Sequence, residues 1–97
     1  MLNATTATQN TSLGASAGDV ITTGDYNTII GSLADPSANS GQNQTAIGYA
    51  ATGQADNSVT LGNSDVTAVY MAEDSGATVY AAGLNLGGTA LLSLIHI

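Results

Sequence analysis

Seven carboxylates and one imidazole are the main candidates for acid–base or metal-ligating chemistry in this 97-residue sequence; Lys, Arg and Cys are absent. Adjacent Glu73 and Asp74 offer the two acids that glycoside hydrolysis uses, but neighbouring acids ahead of Ser75-Gly76 read more simply as a solvated turn. Ser58 or Ser75 with Asp74 lacks the imidazole of a triad. His96 stands apart, in a tail of different composition. Asp19, Asp25, Asp56, Asp65 and Asp74 are hard oxygen ligands of the kind calcium takes. Neither an EF-hand loop nor a nonapeptide calcium repeat spaces them. The expectation is a chain without catalytic residues, metal or cofactor.

The elements that carry these residues are thinly built. Hydrophobic residues make up 43% of the chain, but 16 of them are Ala, and neither Phe nor Trp occurs. A chain this short buries a limited share of its surface, so a narrow repetitive core or partner chains are needed. Without Lys or Arg nothing neutralises phosphates, which argues against nucleic acid and anionic membrane surfaces. No run is apolar for about 18 residues, so no transmembrane helix is expected. The first ten residues, MLNATTATQN, lack the basic and apolar regions of a signal peptide. The Asn-X-Thr/Ser matches at Asn3, Asn10 and Asn43 are what chance gives in a chain this rich in Asn and Thr.

One phrase recurs four times: QNTSLG, YNTIIG, NQTAIG and NSVTLG, ending at Gly14, Gly31, Gly48 and Gly62, with spacings of 17, 17 and 14 residues. Leu13, Ile30, Ile47 and Leu61 precede these glycines. Thr11, Thr28, Thr45 and Val59 lie two positions earlier. A period of two predicts a short strand with these positions on one buried face. Asn10, Asn27, Asn43 and Asn57 fall four or five residues before each Gly, where Asn can turn the chain or stack in a ladder. Ala17, Ala34 and Ala51 follow the Gly by three residues; the last copy has Asp65. Strands this short must pair with the next copy, and the Gly supplies a corner with positive φ. The longer units hold their extra residues in the connection, where Pro36 breaks no ladder. Repetition on this scale predicts an all-β, single-stranded β-roll or β-solenoid. Thirteen Thr residues raise ice binding, but a Thr column sharing the buried face of Leu13 and Ile30 would not serve it. Tyr26 and Tyr49, at opposite ends of their strands, are candidates for edge packing or for stacking on a glycan.

After Gly62 the pattern changes. DVTAVYM (65–71) and ATVYAAGLNL (77–86) flank Glu73-Asp74-Ser75-Gly76, which predicts a β-hairpin-like cap with Val66, Val69, Tyr70, Val79 and Tyr80 as its core. The expected organisation is head repeats over 1–64, a β-rich cap or neck-proximal segment over 65–91, and a tail over 92–97.

The phrase Asn57-Ser58-Val59-Thr60-Leu61-Gly62 resembles the head repeat of YadA-like trimeric autotransporter adhesins, and GDYNTIIG and NQTAIGYAA resemble repeats of phage tail fibres. The resemblance spans about residues 9–64. It implies a left-handed β-roll, three chains packed side by side as a homotrimer, and an extracellular setting on a bacterial surface or a phage virion. It further implies a structural and adhesive role, with a host-surface glycan or protein as receptor and Leu13, Gly14, Ile30, Gly31, Ile47, Gly48, Leu61 and Gly62 as scaffold. Thr at the inner position of three copies departs from the family's apolar residue and implies a looser core. A carbohydrate-active β-helix fragment and a ligand-free spacer stalk are the alternatives. The tail, Leu92–Ile97, resembles a translated sequencing adapter. It is expected to be foreign to a natural chain that ran on past Leu91, which leaves open whether Met1 is the true start.

Overall fold

The computed structural model describes residues 2–87. The tail Leu92–Ile97, expected to be foreign to the natural chain, lies outside them, as do the last residues assigned to the cap. The described chain is all-β, without helix: β1 (Thr11–Leu13), β2 (Thr28–Ile30), β3 (Gln44–Ile47) and β4 (Ser58–Leu61) form one four-stranded sheet. Every neighbouring pair is parallel and the spatial order is the sequence order. Equivalent residues of successive copies stand opposite each other: Leu13 by Ile30, Ile30 by Ile47, Ile47 by Leu61. Strands of three or four residues hold because β2 and β3 pair with a copy on both sides and β1 and β4 with one neighbour each.

The connections stack as well. Gly18 N–H donates to the Ala34 carbonyl at 2.8 Å and Asp35 N–H to Ala51 at 2.9 Å. Asp35 and Thr52 form an isolated parallel bridge. Each unit is thus a layer laid on the next along both its strand and its return. The third unit is shorter between this bridge and the following strand: residues 53–55 replace the longer stretches 19–24 and 36–41. Pro36 sits buried at the start of one of those stretches, outside every strand.

Glycine at each corner is doubly required. Gly14, Gly31 and Gly48 have φ of +128°, +131° and +129°. A Cβ on Gly14 would lie 2.7 Å from the Gly31 carbonyl carbon, and one on Gly48 would lie 3.1 Å from Gly62 Cα. The layers touch backbone to backbone at this column.

The faces are the reverse of the expected ones. The inner side of the sheet carries Ile29 and Ala46, both fully buried, with Ser12 and Thr60 at the ends of the same column. They close a core with Ile21, Ala17, Ala34 and Ala51. Leu13, Ile47 and Leu61 point outward and are 67%, 38% and 46% exposed, with Ile30 half-buried. Alternation alone defines two faces and does not say which is inside. The cross-section of a layer is narrow, and small side chains with one Ile fill it; a column of Leu and Ile does not fit there. Thr11, Thr28, Thr45 and Val59 accompany the outward column, so the expected burial of the Thr residues is corrected too, and with it the ground for setting ice binding aside.

The hairpin-like cap is also corrected. Residues 65–87 contain no strand. Ala77 N–H reaches the Met71 carbonyl at 3.3 Å, and Val66, Val69, Tyr70, Val79 and Tyr80 all stay exposed. A two-stranded ribbon is marginal without a face to bury, and this single-copy segment has no layer beneath it.

Candidate functional site

Two columns of polar side chains hold the layers in register. Asn10 Oδ1 accepts the Asn27 amide at 2.8 Å, and Asn27 Oδ1 accepts the Gln44 amide at 2.9 Å. Asn10 Nδ2 donates to the Gly24 carbonyl and Asn27 Nδ2 to the Gly41 carbonyl, each at 2.8 Å. Asn27 and Gln44 are fully buried. They lie two residues before Ile29 and Ala46, so the inner face is an amide followed by a small or branched apolar residue. Where the third unit shortens, the longer Gln44 side chain donates to Ser37 Oγ at 2.7 Å and Asp56 Oδ1 at 3.0 Å.

Asn43 and Asn57 belong to a different column. With Gln9 and Tyr26 they occupy left-handed corners, φ between +52° and +63°. Asn four or five residues before each Gly thus falls into two classes, a buried ladder and an exposed corner one residue away. Asn43 Nδ2 does reach Asn57 Oδ1 at 3.0 Å, on the outside. A polar residue directly after each corner (Asn10, Asn27, Gln44, Ser58) was the signal that separates the two.

Three of the carboxylates, Asp25, Asp56 and Asp74, clamp a layer or a turn. Asp25 Oδ1 accepts the Thr8 amide at 2.7 Å and Asp56 Oδ1 the Gln42 amide at 2.9 Å, one equivalent position repeated two layers apart. Asp74 Oδ1 accepts the Gly76 amide at 2.8 Å, which fixes the turn after Glu73. Among the described residues no group of three or more His, Asp or Glu is placed to hold a metal ion. The five aspartates singled out as calcium ligands are spread over separate layers and turns.

Two acids have shifted ionisation, in opposite senses. The Gln42 amide, then the Gln44 side chain, holds Asp56 below its ordinary value. Its contribution is present above that ordinary value and fades as pH falls through the depressed one. Burial pushes Asp35 upward, the Val20 amide at 3.5 Å pulls against this, and nearby Asp19 adds to the rise. A raised carboxyl favours the fold at low pH, and this advantage is lost as pH rises through the raised value. Asp35→Asn is therefore expected to raise the thermal midpoint at pH 7 and leave it nearly unchanged at pH 3, as calorimetry at the two pH values would show. An equal rise at both would assign the effect to packing.

The surface without an internal partner is the outward apolar column. Leu13, Ile30, Ile47 and Leu61 run across all four strands in register, flanked by Thr11, Thr28, Thr45 and Val59. Parallel neighbours are about 4.8 Å apart, so this is a flat, regular stripe. Tyr26 and Tyr49 are exposed rather than packed at an edge. Among the described residues no helix is long and apolar enough to cross a membrane. No family model, curated protein or solved structure significantly matches this chain.

Proposed function

We propose that this chain is a non-enzymatic structural and attachment module of a homotrimeric fibre, outside the cell, on a phage tail fibre or a bacterial surface adhesin. Each chain forms a single-stranded, left-handed β-roll over residues 1–64, and three rolls pack side by side. The segment after residue 64 is the neck-proximal part. The observation that carries this reading is the outward Leu13–Ile30–Ile47–Leu61 stripe: a contiguous apolar surface in register on a sheet face marks an interaction site. A closed rotational arrangement covers the same stripe on every copy. The roll then acts as a rigid post, and three copies of its turns meet a surface glycan or protein receptor together, with the gain that multivalency gives.

Lysine at Ile30 and Ile47 together tests this. The change lies outside the core, so the far-UV circular dichroism of the sheet should persist while the trimer dissociates. Burying two unpaired charges per chain costs several kcal/mol, so the dissociation midpoint is expected to rise at least about 100-fold. Unchanged association with both lysines in place would remove the stripe from the interface.

A second reading attaches to the same face. Thr11, Thr28 and Thr45 form an outward column at strand spacing, which is what an ice-binding surface requires. Thermal hysteresis in the wild-type chain that disappears in Thr28→Tyr would favour it over the trimer.

A further inference from the structure

The fourth layer stops short. Where three copies bury Ala17, Ala34 and Ala51, the fourth places Asp65, exposed. The chain turns off the stack here: Asp65 N–H donates to Asn63 Oδ1 at 2.9 Å and Val66 N–H to the Asn63 carbonyl at 3.1 Å. Residues 49–54 of the third layer are consequently left without a layer above them. Between them and the turn lies an open groove of about 580 Å³, lined by Tyr49, Thr52, Gln54, Thr60, Asn63 and Asp65 among others. Small-molecule sites typically occupy about 300–1,000 Å³.

We propose that this groove binds a neutral saccharide. Tyr49 is 65% exposed and supplies an aromatic face, on which the C–H side of a pyranose ring can stack. Asp65 offers a carboxylate acceptor, and the Thr52, Thr60 and Ser64 hydroxyls offer both donors and acceptors for ring hydroxyls. An anionic sugar does not fit: the chain has no Lys or Arg and carries a net charge of −7, so nothing pairs with a carboxylate, sulfate or phosphate. A peptide strand adding to the uncovered edge is the competing occupant. Two carbonyls along this stretch are already taken, because Asn63 Nδ2 donates to Tyr49 O at 2.9 Å and Gln54 Nε2 to Thr52 O at 2.8 Å. Those side-chain amides blunt the edge and leave an open cleft, with hydroxyl and carboxylate groups on its wall, beside an aromatic ring. Ala50 N–H donates to the Ser32 carbonyl at 2.8 Å, so the backbone at Tyr49 is held from both sides and the ring's base is set before a ligand arrives. The inference deepens the attachment reading and rests on it for its setting, but the groove lies within one chain and does not need the trimer.

Saturation-transfer NMR on the full chain tests it, using the methyl glycosides of glucose, galactose, mannose and N-acetylglucosamine, with sialyllactose as the anionic control. Transfer to the ring C–H protons of at least one neutral glycoside is expected, and none to sialyllactose. Tyr49→Ala should weaken binding about fivefold or more, the scale of one aromatic contact; Tyr49→Phe should retain it, and Asp65→Asn should reduce it. Both positions of change are solvent-exposed, and an unaltered circular dichroism spectrum confirms that the fold survives. No transfer to any neutral glycoside, or transfer that survives Tyr49→Ala, overturns the proposal. So does preferential binding of sialyllactose or of a synthetic peptide copying residues 43–49. A sedimentation result of one chain per particle would instead sink the trimer and leave the groove standing.

Discussion

Gly31→Ala is expected to destabilise the layered region by about 3 kcal/mol or more, combining a left-handed backbone penalty of about 1–2 kcal/mol with an overpacking cost of about 1–3 kcal/mol. At Gly31 the backbone has φ +131°, and an added Cβ would meet the Gly48 carbonyl group of the next layer. Neither strain relaxes alone, because the corner column stacks backbone on backbone through Gly14, Gly31 and Gly48. In a domain of this size the midpoint should fall by roughly 12 °C or more, since 1 kcal/mol corresponds to about 4–8 °C. Gly83→Ala is the matched control. A Cβ there meets nothing within 4 Å and no positive φ is involved, so its unfolding curve should superimpose on the wild type. Equal losses for the two variants would mean that the corner is not the constraint.

The second large effect is expected at Asn27. Its amide is the buried middle of the ladder, bonded to Asn10 Oδ1, the Gly41 carbonyl and the Gln44 amide at 3.0, 2.8 and 2.9 Å. Asn27→Ala strands the Gly41 carbonyl and the Gln44 N–H without water to replace the partner. Each unsatisfied buried group costs about 1–3 kcal/mol, so a loss of about 3 kcal/mol is expected. Asn27→Asp keeps the acceptor for Gln44 but brings a buried carboxylate against a carbonyl. Desolvation raises its pKa, so this variant should be less destabilised at pH 4 than at pH 7, whereas Asn27→Ala should show no such recovery. Chemical denaturation at both pH values reads the difference. A mild, pH-independent Asn27→Asp would show that water enters the ladder.

Much of this arrangement was legible in the sequence, and the misses have physical causes. The four Gly corners and the in-register pairing of Leu13, Ile30, Ile47 and Leu61 follow from spacing, because a repeat that stacks must pair like with like. The all-β character follows from strands too short to stand alone. Which face is buried did not follow. Leu and Ile attract assignment to the core, yet the strands bury the intervening Ile29 and Ala46 instead, and the rest of the core (Ala17, Ala34, Ala51 and Ile21) comes from the connections, where no periodicity is read. Asn27 and Gln44 were hidden in plain view, since an Asn beside a turn reads as a corner residue and only the adjacent polar position marks the buried ladder. The segment after Gly62 has strand composition without a second copy to pair with, so β-propensity found no sheet to join. The groove at Tyr49 depends on where the stack ends, and sequence showed this only as Asp65 in place of Ala.

The outward stripe makes the central claim measurable. Sedimentation equilibrium of the full chain, run over a range of concentrations at physiological salt, reads the number of chains directly. The expected result is a particle of three chains that reverts to one chain when Ile30 and Ile47 are both lysine, with circular dichroism unchanged. A single-chain mass at every concentration, with a cooperative and stable unfolding transition, would contradict the account: the Leu13–Ile30–Ile47–Leu61 face would then be a solvent-exposed surface of a self-sufficient fold.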